Sequence, residues 1–369
     1  MILLGLLAIP LIIGVVAMIF GKGELTWKEF LVQEGVILLL VGGGYGASVA
    51  ITRWSASDDT EIWNGRVADK KKGTEHCCHS YQCNPHPCMC DSKGRCSTCW
   101  DTCYRHAWDV VWSARSTNGE TIYRNGCNPP GTSTPARWTT IVKGEPTAFG
   151  HSYTNYIKAN PESIMRRTGA AKKFAGLLPG YPQVYDHYRV RQFLFMKVKV
   201  DKSLKQWLDE KLMDINGDIG ARKQLNIIVV VAATDDPQYV EALREHWLGG
   251  KKNDLVVVIG AKHFPELSFV GTVTWSRSEE MKLAIRDRIM ETEKFDHEKI
   301  LSIIQDEASN KFVRQEMKEY EYLMSNVEPP WWLLLILFVL GLAASIVMTV
   351  YFIRNDPFKK GFRRFRRYY

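Results

Sequence analysis

Three apolar runs interrupt an otherwise mixed chain: Ile2 to Phe20, Gly35 to Ile51 and Trp331 to Ile353. Each is uncharged and close to the roughly 20 residues that an α-helix needs to cross a bilayer, so each predicts a transmembrane helix. Gly21 to Glu34 reads as a polar loop between the first two. Pro329-Pro330 breaks whatever helix comes before, and Trp331-Trp332 places indoles at one membrane interface. A rival reading of the N-terminus is a cleaved signal peptide, on the small residues Ser48-Val49-Ala50. No basic segment precedes Ile2, and the double apolar run is longer than a signal needs. Gly42-Gly43-Gly44-Tyr45-Gly46 lies inside the second run with no strand before it, which favours close helix packing in the membrane over a nucleotide loop.

The region between the spans changes character along its length. Residues 53 to about 179 carry short strand-like pieces rich in Cys, Trp, Gly and Pro; among them Arg137 to Val142 reads as a strand ended by Lys143-Gly144-Glu145-Pro146. From Phe193 the pattern alternates: strand Phe193 to Val200, helix Ser203 to Met213, strand Leu225 to Ala232, helix Pro237 to Trp247, strand Leu255 to Ile259, strand Leu267 to Trp275. Charged helical stretches then run from Glu279 to Leu323, broken near Glu293 to Asp296. They predict either a surface helix on the sheet or a stalk toward the membrane. Strands such as Ile227 to Val231, apolar on both faces, belong in a sheet covered by helices on both sides. The expected organisation is two transmembrane helices in residues 1–53, a Cys/His-rich lobe in 54–180, an α/β domain in 181–328, and a third transmembrane helix with a basic tail in 329–369.

Charge decides the orientation. The formal net charge is +8, of which the tail from Arg354 supplies 7 − 1 = +6 and the first 52 residues 2 − 3 = −1, leaving +3 for the rest. Short basic flanks stay cytoplasmic, which predicts a cytoplasmic C-terminus and a large extracytoplasmic middle region at a host inner membrane. The tail suits the anionic inner leaflet. With its cations concentrated there, the chain is not expected to bind nucleic acid.

Eight of nine cysteines fall between Cys77 and Cys103, with His76, His79, His86 and His106 in or beside the run. An oxidising compartment favours disulfides that staple a segment lacking its own core. The histidines favour metal: Cys96-x-x-Cys99 with Cys103-x-x-His106 offers four ligands suited to tetrahedral zinc. Both readings stand, and either makes the cluster a staple. Cys127, the ninth, is left unpaired, joined to a second chain, or closed back on the cluster. Polar and aromatic residues from His151 to Lys158 could form a site or lie on the surface.

Residues 75 to 165, through His79-Ser-Tyr-Gln-Cys83, Trp100 to Asp109, Arg137-Trp138 and His151 to Lys158, resemble a group of uncharacterised membrane proteins of tailed bacteriophages. The layout from 195 to 310 resembles the TPM domain of thylakoid lumen and photosystem repair proteins. The matching features are Gln224 to Val231, the helix Tyr239 to Trp247, the turn Gly249-Gly250-Lys-Lys-Asn253 and Asp254 to Ile259. The family's glycine-rich segment after the third strand is replaced by Gly271-Thr-Val-Thr-Trp-Ser276, so the resemblance implies a fold and carries no catalytic expectation. The expected fold class is a TPM-like α/β sandwich plus a small Cys-rich, mostly β or irregular lobe, anchored by three transmembrane helices.

Candidate chemistry in the α/β part is sparse. Asp235-Asp236 follows the carboxyl end of a strand, where such folds place sites, and could hold a cation; a helix N-cap before Pro237 is the competing account. Asp214-Ile-Asn-Gly-Asp218 lacks the later glycine and glutamate of a calcium loop and reads as a turn. Ser276, Ser278 and the lone Cys127 have no adjacent base, so a nucleophile triad is not expected. The expected function is a phage-encoded, membrane-anchored binding or scaffold protein at the host envelope, with the bilayer and a protein as partners. The alternative is a metal-dependent hydrolase of the envelope.

Overall fold

The computed structural model describes residues 2–20, 25–119, 121–124, 136–160, 169–185, 188–355 and 357–358. They divide into two compact units: Met1–Asp58 with Thr154–Ser163 and Lys318–Tyr369, and Asp59–Tyr153 with Ile164–Met317. Cys127 and most of the basic tail lie outside the described residues.

The first unit holds three helices long and apolar enough to cross a membrane. Helix α1 is Ile2–Phe20; α2, Trp27–Ile37, passes through a π-helical stretch, Leu38–Gly42, into α3, Gly43–Ser57; α11 is Trp331–Asn355. Helix therefore begins inside the expected polar loop. Thr26 and Glu29 form a capping box: Thr26 N donates to Glu29 Oε2 at 2.8 Å, and Glu29 N to Thr26 Oγ1 at 3.4 Å, which satisfies two end donors at once. Glycines let the helices approach: a Cβ on Gly341 would come within 2.7 Å of Val41, and one on Gly44 within 2.6 Å of Leu337. Gln33 adds polar contacts, donating to Ser345 Oγ and accepting from Thr349 Oγ1, both at 3.1 Å. Side-chain hydrogen bonds of this kind contribute about 0.6–2 kcal/mol between membrane helices.

The second unit contains two four-stranded sheets. One has the order β12-β11-β10-β9. Its parallel strands are β9 (Phe193–Met196), β10 (Asn226–Ala232) and β11 (Asp254–Gly260); β12 (Phe269–Thr274) pairs antiparallel with β11. Alternate residues of the two central strands supply opposite cores. Ile227, Val229, Val231, Leu255, Val257 and Ile259 face α7 (Lys202–Lys223), α9 (Glu279–Met290) and α10 (His297–Lys311). Ile228, Val230, Val256 and Val258 face α8, Gln238–His246, and the segment around Phe174. All ten are fully buried, and burying each such side chain contributes roughly 1.5–3 kcal/mol. Met281, Ile285, Ile300 and Ile304 lie in the first core, so the charged helices between Glu279 and Lys311 pack on the sheet. Ser278 and Asp296 cap its two helices.

The other sheet has the order β5-β4-β1-β6, built from β1 (Asp58–His76), β4 (Trp108–Ser116), β5 (Thr121–Arg124) and β6 (Pro146–Thr154). The antiparallel pair β1/β4 runs from Val67↔Ser116 to His76↔Trp108. It continues beyond a break into the hairpin β2 (Ser80–Cys90) and β3 (Cys96–Tyr104), giving one long ribbon.

Two local expectations are corrected. The expected strand from Arg137 is instead α4, Ala136–Thr140. Ile141 N bonds to Arg137 O at 2.9 Å, while Glu145 O accepts from Val67 N and leads β6 onto the sheet edge. The expected turn Asp214 to Asp218 lies inside α7. Its glycines serve proximity: a Cβ on Gly217 would stand 3.1 Å from Gly65 O, and one on Gly220 would stand 2.8 Å from Asn64 O.

Gly220→Ala therefore sets a helix-propensity gain of up to about 1 kcal/mol against an overpacking cost of about 1–3 kcal/mol at the backbone of β1. Net destabilisation is expected, read as a lower unfolding temperature of the detergent-purified chain. An unchanged or raised temperature would refute the contact.

Candidate metal centre

The ribbon breaks where Cys77, Cys78 and His79 leave β1 and Arg105, His106 and Ala107 lead into β4. Across the break the backbones stay bonded, Cys77 N to Ala107 O at 3.2 Å and Arg105 N to His79 O at 3.1 Å. This pairing brings together Cys77, His79, His106 and Asp109, whose ligand atoms all lie within 4.8 Å of one another. Cys77 Sγ is 3.8 Å from His79 Nδ1, His79 Nδ1 is 3.9 Å from Asp109 Oδ2, and His106 Nε2 donates to Asp109 Oδ1 at 2.5 Å. Asp109 and Cys77 are buried, the two imidazoles partly so. The hydrogen bond from His106, joined by one from Cys78 N, holds the Asp109 carboxyl below the usual carboxylate range. His79 N donates to Cys77 Sγ at 3.4 Å, fixing the sulfur's orientation.

The zinc set expected from spacing is distributed differently. Cys103 is bonded to Cys83, Cys99 to Cys88 and Cys96 to Cys90, so three of its four members have their sulfurs committed to disulfides. His106 alone of that set reaches the four-residue group. Cys78 is also disulfide-bonded, and among the described residues Cys77 is the free cysteine. Disulfides and a metal-competent group thus coexist as neighbours.

Asp235 and Asp236 do not form a shared site. Asp235 pairs with Lys262 at 2.7 Å and Asp236 with Lys173. These bonds depress both carboxyls, and Asp236 Oδ1 accepts from Gln238 N at 2.9 Å at the start of α8. A groove of about 800 Å³ follows β9 and is lined by Arg189, Arg191, Lys205, Asp209 and Glu210 among others; its mixed signs select no ligand charge.

A second polar cluster lies at the amino ends of the parallel strands. Asp254 accepts from Asn226 Nδ2 at 2.8 Å, Tyr181 Oη at 3.0 Å and Lys251 N at 2.7 Å. Asn226 continues to Asn64 of β1 at 2.9 Å. Lys251 pairs with Asp59 at 2.5 Å. Glu61 Oε1 accepts from Trp63 Nε1 at 2.7 Å and Arg314, with His151 Nδ1 at 3.3 Å and Lys252 at 3.7 Å. His151, from the segment of uncertain role, thus joins a buried ionic network and stacks on Trp63 with ring centroids 3.8 Å apart. These groups tie elements together.

Comparison of the chain with protein-family models, with curated proteins and with solved structures finds no match.

Burial raises the Asp254 carboxyl to about 6, partly offset by its hydrogen bonds. Its unfolded value is about 3.9, so the folded state holds a proton that the unfolded state releases. Folding stability should therefore fall as pH rises from about 4 to about 6, by roughly 3 kcal/mol, and level off above that. Chemical denaturation across this range should show the fall, and Asp254→Asn should flatten it. A wild-type profile that rises through the same window would contradict the assignment.

Proposed function

We propose that the protein is a membrane-anchored binding or scaffold protein, phage-encoded, that presents its ribbon to a protein partner outside the cytoplasm of a host cell. The observation that carries this reading is the hairpin β2/β3. Three disulfides brace it, while Trp100 and Tyr104 are about half exposed. Strand alternation sets Trp100 and Tyr104 on the face opposite Cys99 and Cys103. Ser80 and Thr102 share that face through the pairs Ser80↔Tyr104 and Gln82↔Thr102. Aromatic residues among small hydroxyl side chains are the composition of protein-recognition surfaces, because Tyr and Trp supply contact area with few rotors to freeze.

The disulfides support an oxidising compartment for the second unit, and the seven cations after the third span support a cytoplasmic tail. Host inner membrane is the location that fits both. The resemblance of residues 75 to 165 to tailed-phage membrane proteins fits a role at the bacterial envelope, and the helix-covered sheet fits the TPM-like layout. The hydrolase alternative requires an open metal position and a general base. Four protein donors drawn together favour a closed structural centre instead.

Photo-crosslinking tests the reading. A crosslinker in place of Trp100 in cells should give adducts with an envelope protein, whereas one at Asp101, on the disulfide face, should not. Tyr104→Ala should diminish the adduct from position 100. Equal adducts from both faces, or none from either, would contradict docking through the aromatic face.

A further inference from the structure

We infer that Cys77, His79, His106 and Asp109 bind one zinc ion at the root of the hairpin. The proposal concerns how the ribbon is held and stands apart from the docking role. Zinc takes thiolate sulfur at about 2.3 Å and imidazole nitrogen at about 2.0–2.1 Å, so a tetrahedral shell places ligand atoms roughly 3.3–3.8 Å apart. Cys77 Sγ to His79 Nδ1 at 3.8 Å and His79 Nδ1 to Asp109 Oδ2 at 3.9 Å would close by a few tenths of an ångström on an ion, and the His106 Nε2 to Asp109 Oδ1 contact at 2.5 Å would open. One sulfur, two nitrogens and one oxygen is a borderline donor set suited to zinc; calcium and magnesium take oxygen shells.

Charge and redox state agree with this choice. A Cys77 thiolate and the Asp109 carboxylate supply two negative charges, and two neutral imidazoles complete the shell, so a divalent ion leaves the buried group neutral. Binding releases the thiol proton to solvent, and the His106 ring proton, which now bonds Asp109 from Nε2, moves to Nδ1 so that Nε2 can face the ion. Seven described cysteines of the lobe are disulfide-bonded, whereas Cys77 retains its thiol, as expected of a cysteine reserved for metal.

Position gives the ion a consequence. Cys77 and His79 follow β1, His106 stands just before β4, and Asp109 is the second residue of β4. Zinc there joins the two strands where their ladder breaks between His76↔Trp108 and Ser80↔Tyr104. It would fix the angle between the sheet and the hairpin, a task that the three bonds within residues 83–103 do not perform.

The full-length protein, purified in detergent without chelator, should contain one zinc per chain. After chelation and reloading with cobalt, it should show the visible bands of tetrahedral Co²⁺ and a near-ultraviolet thiolate-to-cobalt charge-transfer band. Cys77→Asp should abolish the charge-transfer band while retaining visible bands, and His106→Ala should weaken metal binding at least about tenfold. The wild-type spectrum decides the proposal even if a variant misfolds. Absence of zinc together with absence of a thiolate band, in chains whose Cys83–Cys103, Cys88–Cys99 and Cys90–Cys96 bonds map intact, would overturn it. Persistence of the band in Cys77→Asp would overturn the ligand set.

Discussion

The second unit depends on the burial of polar side chains from the first half of β1. Asp59, Glu61 and Asn64 are almost wholly excluded from solvent, and leaving such a group unpaired costs about 1–3 kcal/mol, more when it is charged. Each finds its partner on the helix-covered sheet or its flanks: Asp59 on Lys251, Glu61 on Lys252 and Arg314, Asn64 on Asn226 and on Leu225 O at 3.2 Å. Asn253 returns a bond to Ile62 O at 2.7 Å. Shifting β1 by one residue would turn these groups to the other face and strand them. The strand is therefore fixed in register as well as in place.

Everything farther along the ribbon inherits that register. Because β1 is set, β4 is set by the ladder from Val67 to His76, and Asp109 arrives opposite Glu75, beside the break that carries Cys77 and His79. The close approach of α7 follows from the same constraint, since Gly217 and Gly220 admit the backbone of residues 64–65. Arg66 then reaches Asp214 and Asp218 at 3.2 and 2.6 Å. On the proposed docking role, a hairpin built on such a foundation would lose little orientational freedom when a partner binds, which favours affinity through preorganisation.

The legible parts of the chain were those governed by local periodicity. Strands β10 and β11 and helices α8, α9 and α10 follow from apolar runs and caps, and the three apolar helices follow from length and composition. What escaped was decided by distant pairing. Gly217 resembles a turn residue until the strand lying across it is known. Residues 137–142 have strand composition, but β6 occupies the edge they would have joined. The metal group was missed for the same reason: Cys96-x-x-Cys99 and Cys103-x-x-His106 are contiguous in sequence, yet hairpin register pairs those cysteines with partners on β2. Cys77-x-His79 and His106-x-x-Asp109, flanking the hairpin at 27 residues' remove, converge only because the ribbon folds back on itself.

Hydrogen exchange of the full chain in detergent tests most directly whether β1 makes one cooperative body of the two sheets. If it does, amides of Val110 to Ala114 in β4 and of Ile227 to Val231 in β10 exchange through the same opening with similar protection. Asn64→Ala then lowers both by the same factor. Protection of β4 that is far weaker than that of β10, with the substitution affecting only one of them, would show two independent bodies and contradict the account.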